Sequence, residues 1–209
     1  MKKKRKLWVK LLIVLLIVIG VIAISVGGWL ASATGALSKK YTPDEVIVGN
    51  GTKNALIIYQ PSRNDTTSNV TLELAQQLAN RDYTVTINYP SPVLDYDIDM
   101  YDVIAFGTPV YMGKVSSVLE SYVKSLSLGE KSIVLYSTGM NLEVTTELSA
   151  MAEWINGDTS INAIKLGKAS TEITQWFLDQ WEEEQTERRF TIHEPTQSGL
   201  DAITGATMK

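Results

Sequence analysis

Between Leu11 and Ser38 the chain carries no charged residue, and Leu11–Val26 is almost wholly Leu, Ile and Val. About 20 apolar residues cross the hydrocarbon core of a bilayer, so this run is long enough to span one. Six basic residues precede it (Lys2, Lys3, Lys4, Arg5, Lys6 and Lys10) with no acid among them. Basic flanks stay on the cytoplasmic side, which predicts an exported body. Ala31-Ser32-Ala33 resembles a signal-peptidase site, and a cleaved signal peptide is the alternative. The run exceeds the usual length of a signal core, which favours an uncleaved single-pass anchor in the cell membrane. No cysteine follows the run, so a lipoprotein anchor is ruled out.

The rest of the chain is acidic. Taking those six from the 19 basic residues leaves 13 against 23 acidic ones, a net charge of −10. Such a body repels phosphate backbones, and nucleic acid is not an expected partner. The absence of cysteine excludes disulfide scaffolds, thiolate metal sites, iron–sulfur clusters and a cysteine nucleophile. One histidine, His193, cannot make a multi-histidine metal site. No metal site is expected.

Beyond a polar, turn-rich stretch the periodicity alternates. Ala55–Tyr59, Tyr83–Ile87, Val103–Phe106, Ser132–Tyr136 and the weaker Ile161–Leu166 read as strands, several of them apolar on both faces. Between them Val70, Leu74 and Leu78, then Val115, Leu119 and Val123, then Val144, Leu148, Met151 and Ile155, and last Ile173, Phe177 and Trp181 recur at helical spacing. Strands separated by helices predict a parallel sheet covered on both faces. The expected organisation is a basic segment at 1–10, an anchor at 11–34, a linker at 35–53, a folded domain at 54–190 and a flexible tail at 191–209.

In such sheets ligands bind beyond the carboxyl ends of the strands. Three loops belong to that edge. The first, Gln60 to Asn69, offers the hydroxyls of Ser62, Thr66, Thr67 and Ser68 at a helix start, where backbone N–H groups can hold a phosphate or where the hydroxyls simply cap the helix. The second is Gly107-Thr108-Pro109-Val110-Tyr111-Met112-Gly113-Lys114, in which a tyrosine can stack on a flat ring. The third is Ser137-Thr138-Gly139-Met140-Asn141.

Together these segments, above all Tyr101 to Lys114 after a buried strand, resemble the flavodoxin-like family from about Asn54 to Trp181. The resemblance implies an α/β fold with a five-stranded parallel sheet in the order 2-1-3-4-5, helices on both faces, and FMN as cofactor. By that likeness the first loop holds the phosphate. Thr108, Pro109, Val110, Tyr111, Met112 and Gly113 flank the ring, and Ser137, Thr138 and Gly139 line its other side. No acid–base triad is needed, since the flavin carries the chemistry.

The chain ends Asp201-Ala202-Ile203-Thr204-Gly205-Ala206-Thr207-Met208-Lys209. This resembles the Asp-x-x-Ser/Thr-Gly-Ala-Thr signature at which a flavin transferase esterifies FMN to the final threonine, here Thr207. Three functions are consistent with these features. A membrane-anchored electron-transfer protein, exchanging electrons with a redox partner protein, comes first. A quinone-linked flavin oxidoreductase and a flavin-free interaction module of the same fold are the alternatives.

Overall fold

The computed structural model describes residues 2–156, 159–184 and 190–193. Two units are distinguished, Met1–Gly35 and Ala36–Lys209. The first consists of α1, a 37-residue helix over Lys2–Ser38 whose last three residues belong to the second unit. Among the described residues no helix is long and apolar enough to cross a membrane. The side chains of α1 are described at 12–28 and 35–38; those of 12–28 are exposed at every position but Gly20, and Ala36 and Leu37 are buried.

The second unit is an α/β layer structure. Its strands are β1 (Val46–Val48), β2 (Lys53–Tyr59), β3 (Tyr83–Asn88), β4 (Val103–Pro109), β5 (Ser132–Thr138), β6 (Ser160–Leu166) and β7 (Phe190–His193). The helices are α2 (Thr66–Ala79), α3 (Ser117–Val123), α4 (Thr146–Ala152) and α5 (Thr171–Glu184). The sheet order is β1-β3-β2-β4-β5-β6-β7, parallel except for β1.

The five expected strands therefore stand in the expected order, and the sheet is wider than five. Val46–Val48, inside the stretch expected to be a linker, pairs antiparallel with β3 through Val46↔Ile87 and Val48↔Val85. Three apolar residues are too short a run to register as a strand by periodicity, and it is the open edge of β3 that gives their backbone a ladder partner. At the other edge β7 pairs with β6 through Ile161↔Phe190 and Ile164↔His193, so 191–193, expected in the flexible tail, belong to the sheet.

Side chains alternate across the sheet with a period of two, and both faces are apolar. Ala55, Ile57 and Tyr59 pack with Val70, Leu74 and Leu78 of α2 and with Phe177 and Trp181 of α5. Leu56, Ile58, Ile104, Phe106 and Leu135 face the other way, with Leu119 of α3 and Leu148 and Met151 of α4. The tryptophans Trp154 and Trp181 are buried in these layers. The third helical stripe is shorter than its spacing predicts. Helix α4 begins at Thr146, and Val144 is 45% exposed in the preceding loop.

Candidate functional site

From β2 the chain turns to one side to form β3 and then crosses to the other to form β4. The switch point lies between the carboxyl ends of β2 and β4, where α/β sheets open a crevice. The three loops of the sequence analysis meet there.

The first loop is braced by its own side chains. Ser62 is buried, and its Oγ accepts the N–H of Thr67 at 3.0 Å. The Thr67 hydroxyl, also buried, meets that of Thr138 across 2.6 Å, joining the first loop to the third. Ser68 hydrogen-bonds the Tyr59 phenol, whose pKa burial pushes well above its ordinary value. Asp65, just before α2, adopts a left-handed conformation (φ 57°) and makes no side-chain cap bond. No backbone acceptor takes the N–H of Thr66 or Ser68 among the described residues, as expected in the first turn of a helix. Arg63, Asn64 and Asp65 are exposed.

The second loop is a rigid tongue. Gly107, Thr108 and Pro109, expected to open it, are the buried end of β4. The Thr108 hydroxyl accepts the N–H of Ser116 at 3.1 Å, closing the tongue at its base. At the tip Tyr111 and Lys114 exchange backbone hydrogen bonds of 3.0 Å in both directions. Met112 (φ 54°) and Gly113 (φ 72°) between them are both left-handed, the pattern of a two-residue type I′ turn. Glycine takes that conformation freely, and Met112 takes it at a steric cost. Its side chain is 62% exposed. The half-buried Tyr111 accepts the N–H of Arg63 on its phenol oxygen at 3.0 Å, tying the tongue to the first loop.

The third loop leaves β5 through Ser137 and Thr138, both buried. Thr138 O accepts the N–H of Val110 at 2.8 Å, and Gly139 donates its N–H to Leu166 O at 3.1 Å. Beyond Gly139 the loop is apolar and open: Met140 is fully exposed, with Leu142 and Val144 exposed beside it.

Four side chains of this edge escaped the sequence reading. Gln60, at the end of β2, is fully buried, and its Nε2 donates to Ala36 O (2.9 Å) and Lys39 O (3.0 Å). Ser116 Oγ donates to Leu37 O at 2.8 Å. Residues 36–39 are thus fastened to the bases of the first and second loops. Glu147 and Lys165 form a buried ion pair under the third loop, 2.8 Å apart. The available signals were a glutamine closing an apolar strand run and a lysine inside Ile161–Leu166, since lysine is seldom fully buried without a partner.

Of the expected residues, the structure gathers Ser62, Thr66, Thr67, Ser68, Tyr111, Ser137, Thr138 and Gly139 at the switch point, with Met112 and Gly113 at the tongue's tip. Ser62 is engaged within its own loop, and Thr67 and Thr138 with each other across two loops. Thr207 lies outside the described residues. A groove of about 440 Å³ beside the edge, lined by Lys40, Pro92, Val118 and Tyr122 among others, contains none of the expected residues. Among the described residues no cluster of metal-ligating side chains is present.

A family model described as a flavodoxin domain matches residues 56–171. Comparison with curated proteins finds no match. Among solved structures, the flavodoxin of Streptococcus pneumoniae TIGR4 is similar at 17% identity over 64% of this chain and 97% of its own, with a TM-score of 0.50. Flavodoxin 2 of Bacillus cereus is similar at 16% identity over 63% and 99% of the two chains, with a TM-score of 0.46.

Proposed function

The chain belongs to the flavodoxin domain family, and on that premise we propose that it is a membrane-anchored, extracytoplasmic electron-transfer protein that uses FMN. The observation that carries this reading is the convergence at the switch point. Tyr111 and the exposed Met112 stand on the loop after β4, and the exposed Met140, Leu142 and Val144 on the loop after the adjacent β5. Apolar side chains exposed together mark a binding surface, and these flank the place where the fold family lodges a flat ring.

Fit to a flavin is judged by what the loops still offer. On the ring side these are the Tyr111 face, the apolar tips and the small Gly139. On the phosphate side they are the N–H groups of Thr66 and Ser68, the Thr66 hydroxyl and the exposed Arg63, at a helix start that favours anions. The Ser62 and Thr67 hydroxyls are engaged elsewhere. These residues fit FMN held chiefly by its ring. When bound, FMN supplies one- and two-electron transfer. The chain's residues would orient it and cover it from water: the tongue is fixed by its Arg63–Tyr111 bond and the third loop by its bonds to Val110 and to Leu166 of β6.

Asp65 opposes the phosphate. Its carboxylate stands exposed at the start of α2, where a second anion has to sit. Unit charges of like sign 4 Å apart repel by about 1 kcal/mol even in water. Asp65→Gly removes that charge and suits the left-handed backbone, so it is expected to tighten FMN binding about fivefold or more in a fluorescence titration.

The terminal Asp201…Thr207 signature supports attachment of FMN at Thr207 by a flavin transferase, which would retain the cofactor outside the cell and raise its effective concentration at the loops. The uncharged run from Leu11 to Ser38 extends beyond the 12–28 stretch on both sides, and supports anchoring with the N-terminus cytoplasmic. The acidic domain would steer basic partner proteins, and an anchor would keep the flavin beside lipid quinones.

Full-length protein made with and without a flavin transferase tests the reading by visible spectrum and intact mass after denaturation. Flavin that survives denaturation in the wild type and is lost from Thr207→Val is the expected result, with the variant still yellow through non-covalent FMN. A colourless wild type of unmodified mass, even with added FMN, overturns it. That result supports a flavin-free interaction module, the reading favoured by the engagement of Ser62 and Thr67 within the protein.

A further inference from the structure

Beneath the third loop lies a charged pair with no part in the reading above. Glu147, in the first turn of α4, and Lys165, on β6, are each 3% exposed. Glu147 Oε1 lies 2.8 Å from Lys165 Nζ and accepts the Ser137 hydroxyl of β5, also at 2.8 Å. Lys165 Nζ donates in addition to the carbonyl of Val144, at the far end of the loop. Its stem passes under Gly139, where an added Cβ would stand 3.3 Å from Lys165 Cε. The second carboxylate oxygen, Glu147 Oε2, is buried and unpartnered.

A buried ion pair is a weak source of stability, because desolvation of both charges offsets their attraction. Its placement is more informative. One ammonium joins β6, α4 and the last carbonyl of a loop whose middle carries exposed Met140 and Leu142. Apolar side chains left on an untied loop gain by folding inward. Lys165 holds the Val144 carbonyl inward, and the Val144 side chain stands out at 45% exposure.

We propose that Lys165 is a positioning residue for the third loop and that, balanced against Glu147, it sets the electrostatic environment of a ring lodged against Gly139. The inference rests on the flavin reading and deepens it. Without Lys165 an anion remains under the loop and opposes the addition of electrons above it. Without the Glu147 charge a cation remains and favours it. A purely structural role loosens the loop and gives no such opposition of sign.

The test uses the full chain in detergent, as wild type, Lys165→Met, Glu147→Gln and the double variant. Redox titration of the FMN-loaded proteins is expected to give a lowered midpoint potential for Lys165→Met, a raised one for Glu147→Gln and a value near wild type for the charge-balanced double variant. In the flavin-free proteins, hydrogen exchange of the amides bracketing the loop, Gly139 and Leu148, is expected to quicken about tenfold or more wherever Lys165 is lost, since a charge-assisted hydrogen bond has gone. Single-variant potentials that move together or stay put overturn the electrostatic half. Unchanged exchange in Lys165→Met overturns the positioning half. If Lys165→Met does not fold, the double variant carries the exchange measurement. If the wild type takes up no FMN, the flavin reading fails by itself, and exchange still decides whether Lys165 positions the loop.

Discussion

Gly107→Ala is expected to destabilise the domain by about 3 kcal/mol or more, a large effect for one methyl group. Gly107 on β4 stands opposite Tyr136 on β5 in the parallel ladder. A Cβ at Gly107 would lie 2.0 Å from Tyr136 Cζ and 2.3 Å from its hydroxyl. The ring has nowhere to go: Tyr136 is 1% exposed, and its hydroxyl is 2.5 Å from Thr71 Oγ1 on α2. Moving it breaks that bond and leaves a buried hydroxyl unpaired, at a further cost of about 1–3 kcal/mol. Thermal unfolding and near-ultraviolet circular dichroism check the prediction. A smaller residue at position 136, as in Gly107→Ala/Tyr136→Leu, is expected to recover part of the loss. Failure of Gly107→Ala to destabilise would mean that the two strands separate more easily than their packing implies. The variant also bears on function, since Thr108 and Pro109 follow directly and fix the base of the tongue.

The second large effect belongs to the ion pair under the third loop. Lys165→Met leaves the Glu147 carboxylate buried with only the Ser137 hydroxyl as donor. Removing one partner of a buried pair typically costs about 3–5 kcal/mol. Replacing both, as in Glu147→Met/Lys165→Met, removes the desolvation penalty along with the attraction and is expected to fall within about 1–2 kcal/mol of wild type or above it. Urea unfolding of the three proteins separates the cases. A double variant as unstable as the single one would show that the lost Lys165–Val144 hydrogen bond, not the stranded Glu147 charge, sets the cost. The stability and redox measurements are complementary: a Met/Met core can fold as well as the native pair, yet it offers neither a donor for Val144 nor a balanced charge beside Gly139.

How much of this was legible in the sequence depends on whether the cause is local. Ala55–Tyr59 and Ser132–Tyr136 read as strands because their apolar residues run without a break, and a segment covered on both faces needs that composition. Alternation with helical stripes then required a parallel sheet, and a parallel doubly wound sheet places its ligand loops after the strands. The three loops and their residues followed from the chain alone, and the strand order of the central sheet followed from the resemblance to the flavodoxin-like family.

Pairings between distant residues decided the rest. Gly107 read as the first residue of the second loop. It is a strand residue whose missing side chain makes room for Tyr136, which the β4–β5 register places beside it. Ser62 and Thr67 read as hydroxyls for a phosphate or a helix cap, and Thr138 as a ring-lining residue by the family resemblance. That Thr67 and Thr138, 71 residues apart, share a hydrogen bond was not legible. The spacing that ran from Val144 to Ile155 overstated a helix that starts at Thr146, because the Val144 carbonyl is held by Lys165. Periodicity records which face of an element is apolar. It carries no information about which polar groups meet once two elements pack, since that depends on register and on angstrom-scale separations that the folded chain alone establishes.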